Sequence, residues 1–245
     1  MKIIKYKRMA NNKYKVFLDN LDNIILHENI IIKYNLLINK EIDDLKEILD
    51  DNNKYLIYDM VLKYISIKMR CENEIREYLK KKNIDIELSN DIVDRLKKQG
   101  FINERLYVKS FISDKVRLNK YGINKIRNEL TKLKIDKDII EDELKNIDKD
   151  ELNNNLEKLI DKKIKSNRSY AGEVLKQKIL IGFINKGYSK EEILKILDNK
   201  NLTNDDLYEK EYKKLYNKYS KKYSGDELEY FIKQKLYQKG IKKDS

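Results

Sequence analysis

The chain has 245 residues with no proline, only seven glycines and 39% charged residues, so it lacks the usual helix breakers and reads as mostly α. A single cysteine and a single histidine exclude an intrachain disulfide, a Cys-pair metal site and a His-rich metal centre. The net charge of +12 divides as +1 over residues 1–55, +4 over 56–150 and +7 over 151–245; a basic excess of this kind points to nucleic acid or an acidic protein surface as partner, with solvated lysine-rich faces as the plain alternative.

In chain order, Ile3-Ile4-Lys5-Tyr6-Lys7 and Tyr14-Lys15-Val16-Phe17-Leu18 are β-branched and aromatic runs on either side of a turn at Ala10-Asn11-Asn12. A second turn cluster, Asp19 to Asn23, precedes Ile24-Ile25-Leu26 and then Ile30-Ile31-Ile32-Lys33-Tyr34. The pattern predicts a small antiparallel sheet. Asn39 is placed to cap a helix carrying Ile42, Leu45 and Leu49 that ends near Asp51-Asn52-Asn53 and covers one face of that sheet. Met1-Lys2 leads into an alternating segment with no leader, and no run of about 18 apolar residues occurs, so a cytosolic location is expected.

From Leu56 onward the signals are helical and group in threes. Ile57, Val61, Tyr64 and Ile65 stripe one helix, Ile75 and Leu79 a second, and Ile92 with Leu96 a third after Ser89, stopped by Gly100. Val108, Phe111, Ile112 and Val116 stripe a helix capped near Asn103. Ile123, Ile126, Leu130 and Leu133 follow, then Ile140, Leu144 and Ile147 after Asp136. The third group carries Leu152, Leu156, Leu159 and Ile164, then a longer helix through Leu175, Ile179 and Phe183, then Ile193 and Leu197. Ser189 with Glu192 has the spacing of a capping box, and Ser224 with Glu227 repeats it. A fourth group starts near Thr203 with Tyr208, Tyr212, Leu215 and Tyr219, continues through Leu228, Phe231, Ile232 and Leu236, and reaches Ser245 without a third helix, the form expected of a terminal cap.

These groups repeat in register. Steps of 51, 53 and 53 residues connect Ile75, Ile126, Ile179 and Ile232; the same steps connect Leu79, Leu130, Phe183 and Leu236, and again Ile84, Ile135, Tyr188 and Ile241. Three apolar columns with one set of offsets predict an internal helical repeat of about 50 residues. The expected fold is mainly α, tandem three-helix-bundle repeats forming an elongated array with a small N-terminal β-rich module. Its divisions fall at 1–54, 55–102, 103–147, 148–200 and a partial repeat 201–245.

Catalytic patterns are missing: no GxxxxGK[ST], GxGxxG or HExxH occurs. Acidic clusters such as Asp43-Asp44 and Glu141-Asp142-Glu143 read as solvated helix faces, because adjacent carboxylates on a helix diverge. No enzyme activity, cofactor or metal is expected.

Gly100-Phe101-Ile102-Asn103-Glu104-Arg105, then Tyr121-Gly122, Ile126-Arg127-Asn128-Glu129-Leu130 and Ile135-Asp136 resemble the signature of the RecX family, bacterial regulators of the RecA recombinase. Met69-Arg70 with Glu74-Ile75-Arg76 and Leu79 resembles the family's first-repeat version, and Gly187-Tyr188 its third-repeat version. Residues 56 to about 200 carry the likeness, and the flanking segments resemble the longer form found in Gram-positive bacteria. Lys134 stands where many members have glycine, and Leu118-Asn119 occupies a stretch often more basic in relatives.

The resemblance implies a protein that binds the RecA filament on single-stranded DNA and modulates recombination, DNA repair and the SOS response, typically as an inhibitor; a monomer is expected. The residues expected to grip the filament or its DNA are Lys115, Arg117, Lys120, Lys125 and Arg127, with Lys163, Lys165 and Arg168 at the equivalent edge of the third unit. Tyr121 is a candidate for stacking. The alternative on charge alone is a helical protein that binds DNA or RNA directly, without RecA. Residues 1–55 are expected to add an accessory contact.

Overall fold

The computed structural model describes residues 1–203 and 205–242. Among these residues the chain forms three strands and thirteen helices and divides into two compact units, residues 1–107 and residues from Val108 onward.

The first unit opens with β1 (Ile3–Met9), β2 (Lys13–Leu18) and β3 (Asn23–His27), an antiparallel sheet in the order β1-β2-β3. Asn11 and Asn12 turn the first hairpin in left-handed backbone that asparagine tolerates. Strand alternation sends Val16, Leu18 and Leu26 into the core.

The expected strand at Ile30–Tyr34 is instead helical: α1 spans Glu28–Lys33 and the short α2 spans Leu36–Asn39. His27 caps α1, its Nδ1 accepting from the Asn29 N–H at 3.2 Å. Ile30 and Ile31 are both buried while Ile32 is 65% exposed, a pattern a helix provides and an alternating strand does not. Tertiary packing overrides the β propensity of the isoleucine run.

The next helix also differs from its expected bounds. It is capped by Asp44, not Asn39, and α3 runs without a break over Leu45–Ile67. Asp51 and Asn52, which look like a stop, act sideways: Asp51 accepts from Lys33 and Tyr34. Asn52 accepts from the His27 N–H at 2.7 Å and donates to the Ile25 carbonyl at 2.9 Å, covering backbone groups on the free side of β3.

The C-terminal half of α3 packs with α4 (Glu72–Lys81) and α5 (Ile86–Lys98) around Val61, Ile75, Leu79, Val93 and Leu96. α5 begins earlier than expected: Asp85 is its cap, and Ser89 lies buried inside it. α6 (Glu104–Arg117) starts after Asn103, whose Oδ1 accepts from the Leu106 N–H at 2.9 Å.

Beyond α6, the second unit contains α7 (Ile123–Lys132), α8 (Lys137–Lys145), α9 (Lys149–Ser166), α10 (Gly172–Ile184), α11 (Lys190–Leu197), α12 (Asp205–Tyr219) and α13 (Gly225–Gln238). Asp136 caps α8, and Ser189 with Glu192 forms the expected capping box on α11. Ser224 is the cap residue of α13, but its side chain makes no capping bond, so the second capping box is not formed. The expected end of the last group at Ser245 lies outside the described residues.

The repeat columns are interior positions. Ile75, Ile126, Ile179 and Ile232 are at most 1% exposed, and Leu79, Leu130, Phe183 and Leu236 at most 8%. In the third column Ile135, Tyr188 and Ile241 are buried and Ile84 is half-buried. A further column accompanies them: Asn83, Lys134, Gly187 and Gly240, again 51, 53 and 53 residues apart, all adopt positive φ. Each reverses the chain after the second helix of its group, so that the following residue of the third column folds back on that helix.

Candidate functional site

The expected binding residues around Tyr121 lie where the end of α6, the loop into α7 and the turn between α10 and α11 meet. A helix start leaves backbone N–H groups without intrahelical partners. Here the Gly122 N–H donates to the Lys186 carbonyl at 2.9 Å, and the Asn124 N–H to the Gly187 carbonyl at 3.0 Å. The Tyr188 hydroxyl donates to the Lys120 carbonyl at 3.1 Å, holding Lys120 at φ 53. The Tyr121 N–H donates to the Lys115 carbonyl at 3.0 Å. The approach repeats one group later, where the Ala171 N–H donates to the Lys239 carbonyl at 3.0 Å beside Gly240.

This frame sets three ammonium groups about one half-buried phenol ring. Lys125 Nζ is 4.0 Å from the Tyr121 ring centroid, Lys115 Nζ 5.4 Å and Lys186 Nζ 5.8 Å. Each such contact contributes about 0.5–1 kcal/mol at an exposed site. Lys115 also pairs with Glu129 at 2.6 Å, whereas Lys125 and Lys186 form no ion pair with any described residue. Lys186 joins Lys115, Tyr121 and Lys125 from 61 residues beyond Lys125, too far along the chain for local patterning to connect them. Gly187, which ends its helix, is the sequence signal that could have placed it.

The other expected residues separate from this cluster. Arg127 is held by a two-pronged pair with Glu141, at 2.6 and 3.1 Å, and by Asn124 Oδ1 at 2.9 Å. Its hydrogen bond with Glu141 raises the guanidinium pKa and, reciprocally, lowers that of the Glu141 carboxyl. Arg117 is exposed, 3.6 Å from Glu151. Lys163 and Lys165 project from the last turn of α9 into solvent. Arg168 Nη1 donates to the carbonyls of Lys165 and Asn167 at 2.6 and 2.8 Å, closing the end of that helix.

Tyr188, buried beneath the junction, has its pKa pushed up to about 12, chiefly by burial and further by the charge of Glu192. Among the described residues no group of three or more His, Cys, Asp or Glu side chains is placed to hold a metal ion. No described helix is long and apolar enough to cross a membrane. The arrangement offers hydrogen-bonded backbone rigidity, a ring face and uncompensated positive charge, a combination suited to anionic ligands.

Residues 58–96 match the family model described as RecX, first three-helix domain, and residues 103–144 match RecX, second three-helix domain. Regulatory protein RecX of Streptococcus sanguinis (strain SK36) is 31% identical over 98% of this chain and 93% of the relative. Regulatory protein RecX of Oceanobacillus iheyensis is 27% identical with the same coverage of each chain. A crystal structure of regulatory protein RecX superposes with a TM-score of 0.67 at 24% identity, covering 81% of this chain and 99% of the other. RecX from Lactobacillus salivarius superposes at 0.55 with 22% identity, over 60% of this chain and 96% of that one; these two likenesses speak to the fold.

Proposed function

We propose that this chain, which belongs to the RecX family of regulatory proteins, binds the RecA filament on single-stranded DNA and restrains it. The observation that supports this reading best is the Tyr121 junction, where Lys125 and Lys186 stand uncompensated on a backbone fixed by four hydrogen bonds. Repeated groups offer successive points of contact to the protomers of a polymer, and individually weak contacts multiply through effective concentration. The divisions at 102, 147 and 200 delimit the modules in this proposal, the expected one at 54 falling inside the unbroken α3, and one copy suffices for the action. The setting is intracellular recombination and DNA repair.

Single-stranded-DNA-dependent ATP hydrolysis by RecA, followed while this protein is titrated in, tests the reading. Inhibition is expected at amounts well below one copy per RecA; unchanged hydrolysis at equimolar protein overturns it. The second reading, direct binding of DNA or RNA without RecA, draws on the same unpaired lysines. It predicts a gel shift in the absence of RecA that weakens steeply with salt.

A further inference from the structure

The near-neutral charge of residues 1–55 conceals a separation of signs. Residues 1–18 contain six cations and no acid; the first acid is Asp19. Strand register then gathers part of this charge on one face. Lys7 lies directly opposite Lys15, Lys5 opposite Phe17, and Lys15 opposite Ile25. Val16 and Leu18, the alternate residues of β2, are at most 2% exposed in the core, which puts Lys15 and Phe17 on the outer side. Lys15 Nζ stands 5.4 Å from the Phe17 ring centroid. Lys5 and Lys7 are exposed, and Ile25 is 43% exposed. None of the three lysines forms an ion pair with a described residue.

Like charges directly opposite each other destabilise a sheet. Lysines on the outer strand β1 could serve to deter edge-to-edge pairing. That role does not account for Lys15, which sits on the central strand facing Lys7, nor for an aromatic ring set among the ammonium groups. We propose that the outer face of this sheet binds single-stranded nucleic acid, with Lys5, Lys7 and Lys15 taking backbone phosphates and the Phe17 ring taking a stacked base. Single strands are held by this pairing of a basic surface with an aromatic platform. A lipid surface is the poorer fit, because Phe17 is half-buried and has little to insert. This face shares no residue with the Tyr121 junction, and its binding does not require RecA.

The test is fluorescence anisotropy of the full chain with fluorescein-labelled oligo(dT) over a range of salt, without RecA. The double variant Lys7→Gln/Lys15→Gln is expected to show a salt slope shallower by about 1.4, at about 0.7 for each phosphate no longer neutralised. Its Tm is expected to rise, because the facing charges are gone. Phe17→Leu keeps an apolar side chain and is expected to weaken binding about tenfold with the slope unchanged. Ultraviolet crosslinking to oligo(dT) is expected to mark the β2 peptide. Wild-type affinity and slope in the double variant overturn the proposal, as does binding to phosphatidylserine vesicles or a polyglutamate peptide with none to oligo(dT). Lys125→Gln/Lys186→Gln, measured in parallel, reads the junction separately, so either surface can fail while the other stands.

Discussion

Gly122 and Gly187 meet backbone to backbone: a Cβ placed on Gly122 would lie 2.3 Å from the Gly187 carbonyl carbon and 2.4 Å from the Tyr188 nitrogen. Gly122 has an ordinary φ of −80, so its requirement is for space and not for conformational freedom. Gly122→Ala is therefore expected to force the junction apart and cost about 3 kcal/mol. Gly182, inside α10, has nothing within 4 Å of its added Cβ. Gly182→Ala is expected to stabilise by about 0.5 kcal/mol through reduced chain entropy. Urea unfolding of the two variants checks the pair; equal effects would show that the close approach is unimportant.

Lys134 holds φ 59 where Gly187 and Gly240, its equivalents in later groups, hold 94 and 72. A side chain in left-handed backbone costs about 1–2 kcal/mol, of which glycine recovers part and loses part to greater freedom in the unfolded chain. Lys134→Gly is expected to stabilise by about 0.5 kcal/mol. Asn83→Gly, at φ 57, is expected to have an effect near zero because asparagine tolerates this region. Thermal unfolding distinguishes the outcomes, and a fall in stability in Lys134→Gly would contradict the assignment of strain to Lys134.

The repeat was legible because interior positions such as Ile126 and Ile179 must stay apolar wherever a group closes on itself. The strands of the first hairpin were legible through their alternation. Ile30–Tyr34 was not, since a run of isoleucines carries β propensity whatever it packs against, and His27 supplies an unusual cap. Nor was the continuity of α3 visible, because Asp51 and Asn52 resemble a stop unless Lys33, Tyr34 and the β3 backbone are known to lie beside them. The candidate site was half legible: Lys115, Tyr121 and Lys125 are neighbours along the chain, but Lys186 arrives through the stacking of one group on the next. Net charge misled over residues 1–55, where acids in turns and helices cancel the cations of the strands only in the sum.

Burial and the Glu192 carboxylate raise the Tyr188 phenol to about 12 from its ordinary value near 10. Because the folded value lies above the unfolded one, the neutral phenol favours the fold. That contribution is complete below pH 10 and disappears as pH rises towards 12. Tyr188→Phe removes the titrating group and also the hydrogen bond to the Lys120 carbonyl, at about 1 kcal/mol. The variant is expected to be less stable at neutral pH yet to lose less stability than the wild type between pH 10 and 12. Denaturant midpoints across that interval check it; parallel curves would remove Tyr188 as the source.

The two kinds of basic residue near Tyr121 should fail in different ways when neutralised. Arg127 is committed within the fold to Glu141 and Asn124, whereas Lys125 and Lys186 have no carboxylate partner among the described residues. Arg127→Gln is expected to lower stability by about 0.5–1 kcal/mol at neutral pH, within the range of a well-formed, partly exposed pair. Because Arg127 holds the Glu141 carboxyl below its ordinary value near 4.5, the pair's contribution exists above that pH and disappears as pH falls through the lower folded value. Wild type and Arg127→Gln should therefore converge in stability in acid. Lys125→Gln/Lys186→Gln is expected to cost about 1 kcal/mol through the lost contacts to the Tyr121 ring, with no convergence in acid, while reducing inhibition of RecA ATP hydrolysis about tenfold, since each interaction with a partner's charge is worth several-fold in affinity. Unfolding curves and the hydrolysis titration, run on the same variants, check both halves. If the double lysine variant inhibited as strongly as the wild type, the surface around Tyr121 would be structural and the filament contact would have to lie elsewhere.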